Sequence, residues 1–347
     1  MARKGEESVL TIEDLRVNYP TERGTVRAVR GLSLNVKRGE ILGLVGESGC
    51  GKSATLLAAM RLLPYPGRVA SGSISVGELN VLELSGRELR EMRGSTMSII
   101  FQDPMSSLNP AHKVGAQLKE ALAVHGLWKA SGHRDGHLVN LLREVGIPSP
   151  EAVLGYYPHQ LSGGMQQRVM IAIALACRPK VILADEPTTA LDVTIEAQIL
   201  DLLREVNRGN GTAIVLVTHS LAVASQFCHR IAVMYAGQIV EEGPVGDVLS
   251  DPLHPYTQGL LRCIPNFSKK ALSPIPGQVP DLLGTRAGCA FYARCRRRSP
   301  DCRRPDGNDL ISVNQARLVR CRRWGSARPE EETVALDDGL AVDIDGI

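Results

Sequence analysis

Between residues 9 and 45, apolar and polar positions alternate in LTIEDLRVNY, VRAV and LSLNV, and then give way to an unbroken apolar run, ILGLV, at 41–45. Alternation is what a strand shows when one face is buried and the other wet; a continuous run suits a strand covered on both faces. Helical spacing follows at 52–63 and stops at Pro64, Pro66 and Gly67. Residues 103–165 are more polar and mostly helical in pattern, and 165–177 reads as a helix ended at Arg178-Pro179. Then come VILA (181–184), a helix with Ile195, Ile199, Leu202 and Val206 on one face, closing glycines at 209 and 211, and AIVLV (213–217). Apolar strands alternating with helices predict a parallel sheet covered by helices. The pattern fades near 250. Residues 252–310 hold eight of the 20 prolines, 294–323 hold ten Arg, and acidic residues from Glu330 to Asp345 follow. This divides the chain into an α/β domain over 1–250, a small appended domain over 251–325 and a disordered acidic tail over 326–347.

Composition narrows the class. An apolar fraction of 44% excludes general disorder, and 40 basic against 37 acidic residues argues against a protein that wraps duplex DNA by charge alone. The longest apolar stretch, VMIAIALAC at 169–177, has nine residues between Arg168 and Arg178, well short of the roughly 20 a spanning helix needs. The opening MARKGEESVL has basic residues but no apolar core after them, so no secretion signal is expected and the chain is placed in the cytoplasm. Structural disulfides are rare there, yet four of the eight Cys fall between 289 and 321.

Three segments carry chemistry. Residues 46–53 read GESGCGKS, the G-x4-G-K-[ST] pattern, after a buried strand and before a helix. Gly46, Gly49 and Gly51 let the backbone N–H groups of the loop, through Ser48, Cys50 and on to Ala54, converge on phosphate oxygens, and the helix start adds favourable potential. Lys52 would reach the β- and γ-phosphates and Ser53 would ligate Mg²⁺. Residues 181–186, VILADE, end a buried strand in two acids that point different ways. Asp185 is assigned to Mg²⁺ and Glu186 to the base that activates water. Residues 161–168, LSGGMQQR, again open a helix, with Ser162 as N-cap and Gly163 and Gly164 leaving N–H groups uncovered. One nucleotide does not need two such cradles, so the second predicts a head-to-tail dimer with ATP between two chains.

The set GESGCGKS, Gln102, LSGGMQQR, VILADE, ALD (190–192) and His219 resembles the ATP-binding subunits of ABC transporters over residues 9–250. The fold this implies is a P-loop NTPase of ABC type, with a RecA-like parallel-sheet core, an antiparallel β subdomain and a helical subdomain over 103–165, here joined to a small Cys-containing C-terminal domain. The resemblance gives Tyr19 the role of stacking on adenine, Gln102 contact with Mg²⁺ and the attacking water, His219 contact with the γ-phosphate, Ser162, Gly163, Gly164 and Gln166 contact with a nucleotide, and Asp192 a dimer contact. The family most often has an acid after the His; Ser220 stands there and is expected to cap the next helix. FQDPMSSLNP, YPHQLSGGMQQRV, HPYTQGLL and IPGQVPDL resemble the dipeptide/oligopeptide importer branch, which also includes nickel importers. That implies a second ATPase subunit, as a heterodimer, two membrane permease subunits, an extracytoplasmic solute-binding protein, and a peripheral position on the cytoplasmic face of the membrane.

Gaps of five, six and eighteen residues separate Cys289, Cys295, Cys302 and Cys321. Zinc sites usually include a pair two to four residues apart, whereas iron–sulfur clusters accept more varied spacing. In this branch the set resembles a [4Fe–4S] element; zinc and unliganded or disulfide-linked thiols are the alternatives. The surrounding Arg residues are expected to lower the thiol pKa values. Cys177, Cys228 and Cys263 read as small core residues, and His133 with His137 as a helical pair without a third ligand. Two other classes compete. A soluble ABC ATPase of DNA repair or translation would need a long coiled coil or two cassettes, and only 107 residues separate Ser53 from Leu161. A redox sensor would make the cysteines the principal site. Few aromatics interleave with the Arg block, so no nucleic acid is expected.

Overall fold

In the computed structural model, which describes residues 8–130, 132, 135–189, 191–263, 274–284 and 287–324, the early alternation becomes two long strands, Ser8–Thr21 and Gly24–Lys37. Leu10 and Ile12 are buried on one phase of the first strand, and Leu15 and Val17 on the other. The slip occurs at Asp14, a non-glycine residue in the left-handed region at φ 43°, where the extra residue keeps the apolar face inward. The ladder is held there by Asp14 N–H donating to Ser33 Oγ at 3.0 Å.

The chain forms two compact units. One takes in residues up to Thr11, Asn35–Ile41 and Ile74–Leu216; the other takes in Ile12–Leu34, Leu42–Ser73 and everything from Val217 onwards. In the first, Met97–Ile100 and Val181–Asp185 pair in parallel from Met97↔Val181 to Ile100↔Ala184. All five residues of Val181–Asp185 are buried, as the continuous apolar run requires. The segment expected to be helical holds Pro104–Ser107, Val114–Val124, Leu127–Ala130, Asp135–Glu144 and Pro150–Val153. Their buried Leu118, Leu122, Leu138, Leu141 and Leu142 belong to helices that pack on or beside the helix Gly163–Leu175. The helix Val193–Asn210 ends at Gly211, whose φ of 64° serves the C-cap.

In the second unit, Leu42–Val45 of the strand Ile41–Val45 pairs in parallel with Arg230–Tyr235, from Leu42↔Arg230 to Val45↔Val233. Arg230–Tyr235 in turn pairs antiparallel with Gln238–Pro244. The sheet does not end at 250: Leu318–Val319 adds to Gln238–Pro244 through Glu241↔Val319, and Ile311–Ser312 adds beyond it. The C-terminal strands thus complete the sheet of this unit. The helix after the glycine-rich loop, Lys52–Ala59, stops earlier than its spacing suggests, at the cap Met60 and the left-handed Arg61. Among the described residues no helix is long and apolar enough to cross a membrane. Ser131, His133, Arg134, Ala190 and the acidic tail lie outside the described residues, and with them one member of the His pair and the first residue of ALD.

Candidate nucleotide-binding site

The glycine-rich loop belongs to the second unit, and its glycines are dictated by close backbone approach. A Cβ on Gly46 would meet the carbonyl oxygen of Met234 at 2.2 Å, and one on Gly51, at φ 109°, would meet that of Ala28 at 2.3 Å. Gly49, at φ 77°, faces open space. Lys52 is buried; its Nζ donates to the carbonyl oxygens of Gly46 at 2.7 Å and Glu47 at 3.0 Å, which stretches the ammonium along the loop. Gly51 is the N-cap of Lys52–Ala59 and offers no side-chain cap, so the loop backbone and Ser53 stand at a helix start. Cys50 is fully buried beneath the loop, where it can offer a ligand only its backbone. Tyr19 packs against Gly67, at which an added Cβ would meet Tyr19 Cε1 at 2.4 Å, and burial pushes its hydroxyl pKa up. His219 is exposed after the strand Ala213–Thr218. Ser220 caps the next helix as expected, accepting from Val223 N–H at 3.2 Å.

The acidic pair and the LSGGMQQ turn belong to the first unit. Asp185 closes the buried strand, and Glu186 follows at φ 45°. A left-handed non-glycine costs on the order of 1–3 kcal/mol and is held only where its surroundings over-determine it. Here Gln102 Nε2 at 3.2 Å and Thr189 Oγ1 at 2.9 Å both donate to Glu186 Oε2. A carboxylate aimed by two neutral donors is suited to accept a proton from water. Ser162 caps Gly163–Leu175 by accepting from Met165 N–H, and Ser162 and Gly163 are exposed. Asp192 caps Val193–Asn210 by accepting from Ile195 N–H at 2.9 Å. The two caps are neighbours, since a Cβ on Gly164 would meet Ile195 Cγ2 at 3.2 Å. Gln166 departs from the role the resemblance gave it. It is buried and its amide donates to the carbonyls of Pro158 and Leu161, so it braces the turn from beneath. Gln167 and Thr189 are residues the sequence reading missed: Gln167 Nε2 donates to the carbonyl of Pro187 at 2.6 Å, tying the signature helix to the segment after Glu186.

Residues 29–189 match the family model for the ABC transporter, and 240–302 match the model for the oligopeptide/dipeptide transporter C-terminal region. The dipeptide transport ATP-binding protein DppD of Escherichia coli K12 is 47% identical over 298 residues, covering 85% of this chain and 91% of that protein. The chain belongs to the ABC transporter ATP-binding family. This ABC ATPase is also 47% identical to DppD of Bacillus subtilis over 96% of its own length and 99% of that protein's, and 45% identical to the oligopeptide transport ATP-binding protein OppD of Salmonella typhimurium over 90% and 93%. Among solved structures, the dimeric ATP-binding cassette MJ0796 bound to ADP and Pi superposes with a TM-score of 0.61 at 28% identity, covering 68% of this chain and 98% of that one. Membership carries ATP and Mg²⁺ as the ligands of these motifs and ATP hydrolysis as the reaction.

The C-terminal region of the ABC ATPase brings its cysteines together. Cys289, Cys295, Cys302 and Cys321 line one small cavity with His254, Phe291 and Tyr292. Two of them are joined by backbone, Cys289 N–H donating to Cys302 O at 2.8 Å, and the approach is so close that a Cβ on Gly288 would meet that same oxygen at 2.5 Å. All are free thiols. The expected lowering of thiol pKa by Arg is overturned. Burial pushes Cys289 up to about 11, with the other three thiols adding to it, and burial likewise outweighs Arg297 and Arg298 at Cys295 and Arg323 at Cys321. Among the described residues no three His, Cys, Asp or Glu gather around a single metal-ion position. Cys228 is buried as expected of a core thiol, whereas Cys177 and Cys263 are only half-buried.

Sequence reading also missed a buried contact to the loop. Arg294 pairs with Glu47 through both arms of its guanidinium, and Tyr256 accepts the backbone N–H of Glu47. A lone Glu in a loop and a lone Arg 247 positions later carry no spacing signal.

Proposed function

We propose that this ATPase drives the import of peptides through separate membrane permease chains. The observation that carries the reading is the joining of an ATPase motif set to an oligopeptide/dipeptide transporter C-terminal region in one chain. Relatives matched over most of their length are named for dipeptide and oligopeptide transport. In this reading the N–H groups of Gly46, Ser48, Gly49, Cys50, Gly51, Ser53 and Ala54 bind the phosphates, Lys52 takes their charge, and Tyr19 stacks on the base. Glu186, aimed by Gln102 and Thr189, removes the proton of the attacking water, and His219 holds the γ-phosphate. Ser53, Gln102 and Asp185 would hold Mg²⁺, which when bound offsets phosphate charge. Most of the rate comes from positioning and electrostatics. Ser162, Gly163, Gly164 and Asp192 serve the nucleotide of a second, related ATPase subunit, and Gln166 supports them from below. The pair sits on the cytoplasmic face against two permeases, fed by an extracytoplasmic binding protein.

The four C-terminal thiols line one cavity and would be the ligands of a [4Fe–4S] cluster, which takes each cysteine on a different iron; the reading rests on their spacing, in which no pair stands two to four residues apart as zinc sites usually require. Arg297, Arg298, Arg322 and Arg323 on the cavity wall offset the cluster's negative charge. When bound, the cluster supplies a covalent staple for a region whose strands are two residues long; no step of hydrolysis passes through it.

Permease-dependent attachment tests the importer reading. Washed membranes that contain the cognate permeases should retain the protein, and membranes lacking them should not. Equal retention on both would count against it.

A further inference from the structure

Glu47, the second residue of the phosphate loop, is held from outside the loop on two sides. Its carboxylate takes the Arg294 guanidinium in fork geometry, Nη1 to Oε2 at 2.7 Å and Nη2 to Oε1 at 2.9 Å. Its backbone N–H donates to the Tyr256 hydroxyl at 2.9 Å. Arg294 is itself fixed. Its Nε donates to Pro276 O at 3.0 Å and its Nη2 to Ile275 O at 3.4 Å, and its guanidinium lies 5.8 Å from the Tyr235 ring centroid. The side chain of Arg294 is 6% exposed and that of Glu47 26%. Tyr256 is fully buried in the helix Pro255–Arg262, whose N-cap His254 accepts from the Tyr256 N–H at 3.0 Å, and its ring packs on Tyr235 at 4.6 Å. The HPY stretch thus reaches Glu47 directly, and the IPG stretch reaches it through Arg294.

A carboxylate in a phosphate-binding loop repels the ligand the loop serves. A bidentate Arg in partly dry surroundings cancels that charge and fixes the backbone carrying it. A loop already in its binding shape loses less freedom when nucleotide arrives. We propose that Arg294 and Tyr256 are positioning residues of the ATP site, through which the C-terminal region sets the shape of the phosphate loop and masks Glu47. The inference rests on ATP binding by this loop, and extends it to an element that touches no nucleotide. Arg294 immediately precedes Cys295, so the same contact links the cysteine-lined region to the loop.

The test is equilibrium binding of a non-hydrolysable ATP analogue with Mg²⁺ to the full chain. Arg294→Gln, which unmasks the carboxylate, should weaken binding about tenfold, and Arg294→Lys should fall between it and wild type because a point charge cannot fork. Tyr256→Phe, which keeps the ring packing, should weaken binding about threefold. The sign of the double variant is diagnostic: Glu47→Gln with Arg294→Gln should bind more tightly than Arg294→Gln alone. Trp324→Phe, in the same region but touching neither Glu47 nor Arg294, should stay within about twofold of wild type. Wild-type affinity in Arg294→Gln, an equal loss in Trp324→Phe, or a double variant no better than the single one would overturn the proposal while leaving ATP binding intact. A wild-type chain that binds no analogue would overturn the ATP site with it.

Discussion

Glu186→Gln should bind MgATP as the wild-type chain does and lose turnover by about a hundredfold or more. The amide keeps the shape of the carboxylate and one acceptor oxygen for Thr189 Oγ1, which now lies 2.9 Å from Glu186 Oε2. Gln102, 3.2 Å away, keeps an acceptor as well. What is lost is basicity, since a carboxamide cannot take the proton of the attacking water. The phosphate loop is unaltered, so binding and hydrolysis separate. A variant that turns over at the wild-type rate would remove Glu186 from the role of base. A variant that binds no ATP would make it a structural residue whose left-handed backbone needs the carboxylate.

The second large effect belongs to the cluster proposed at the C-terminal cysteines. Anaerobically purified protein should be brown, with about four iron atoms per chain, and Cys295→Ser should abolish the colour and most of the iron. The thiols line one cavity, and burial raises the pKa of Cys289, Cys295 and Cys321. Binding metal must therefore release protons, and loading should fall as pH is lowered. Colourless protein with one zinc per chain, unchanged by pH over that range, would reverse the assignment.

Much of this protein was legible in its residues, and the illegible parts share a cause. ILGLV, VILAD and AIVLVT announced themselves because a strand buried on both faces is apolar along nearly its whole length, with a polar residue only at its end. The phosphate loop was legible because close backbone approach at Gly46 and Gly51 admits no other residue. The phase slip at Asp14 and the early helix end at Arg61 were not, because each rests on a left-handed non-glycine that composition does not mark. The C-terminal region looked patternless because its strands are two residues long and their partner, Glu241, lies 78 positions from Val319 in the chain. Buried polar pairs set by the fold were hidden for the same reason. Glu241 is wholly buried and is matched by Arg317 at 2.8 Å, and Glu47 by Arg294 at 2.7 Å. The thiol pKa values were misjudged because sequence shows the neighbouring Arg residues and not the desolvation that outweighs them.

Labelled-peptide uptake tests the central claim most directly. Vesicles carrying the permeases, the binding protein and this chain should accumulate peptide when ATP is supplied on the ATPase side. The same assembly with Glu186→Gln should bind ATP and accumulate none. Accumulation independent of ATP, or ATP hydrolysis in the wild-type assembly with no peptide movement, would contradict the account.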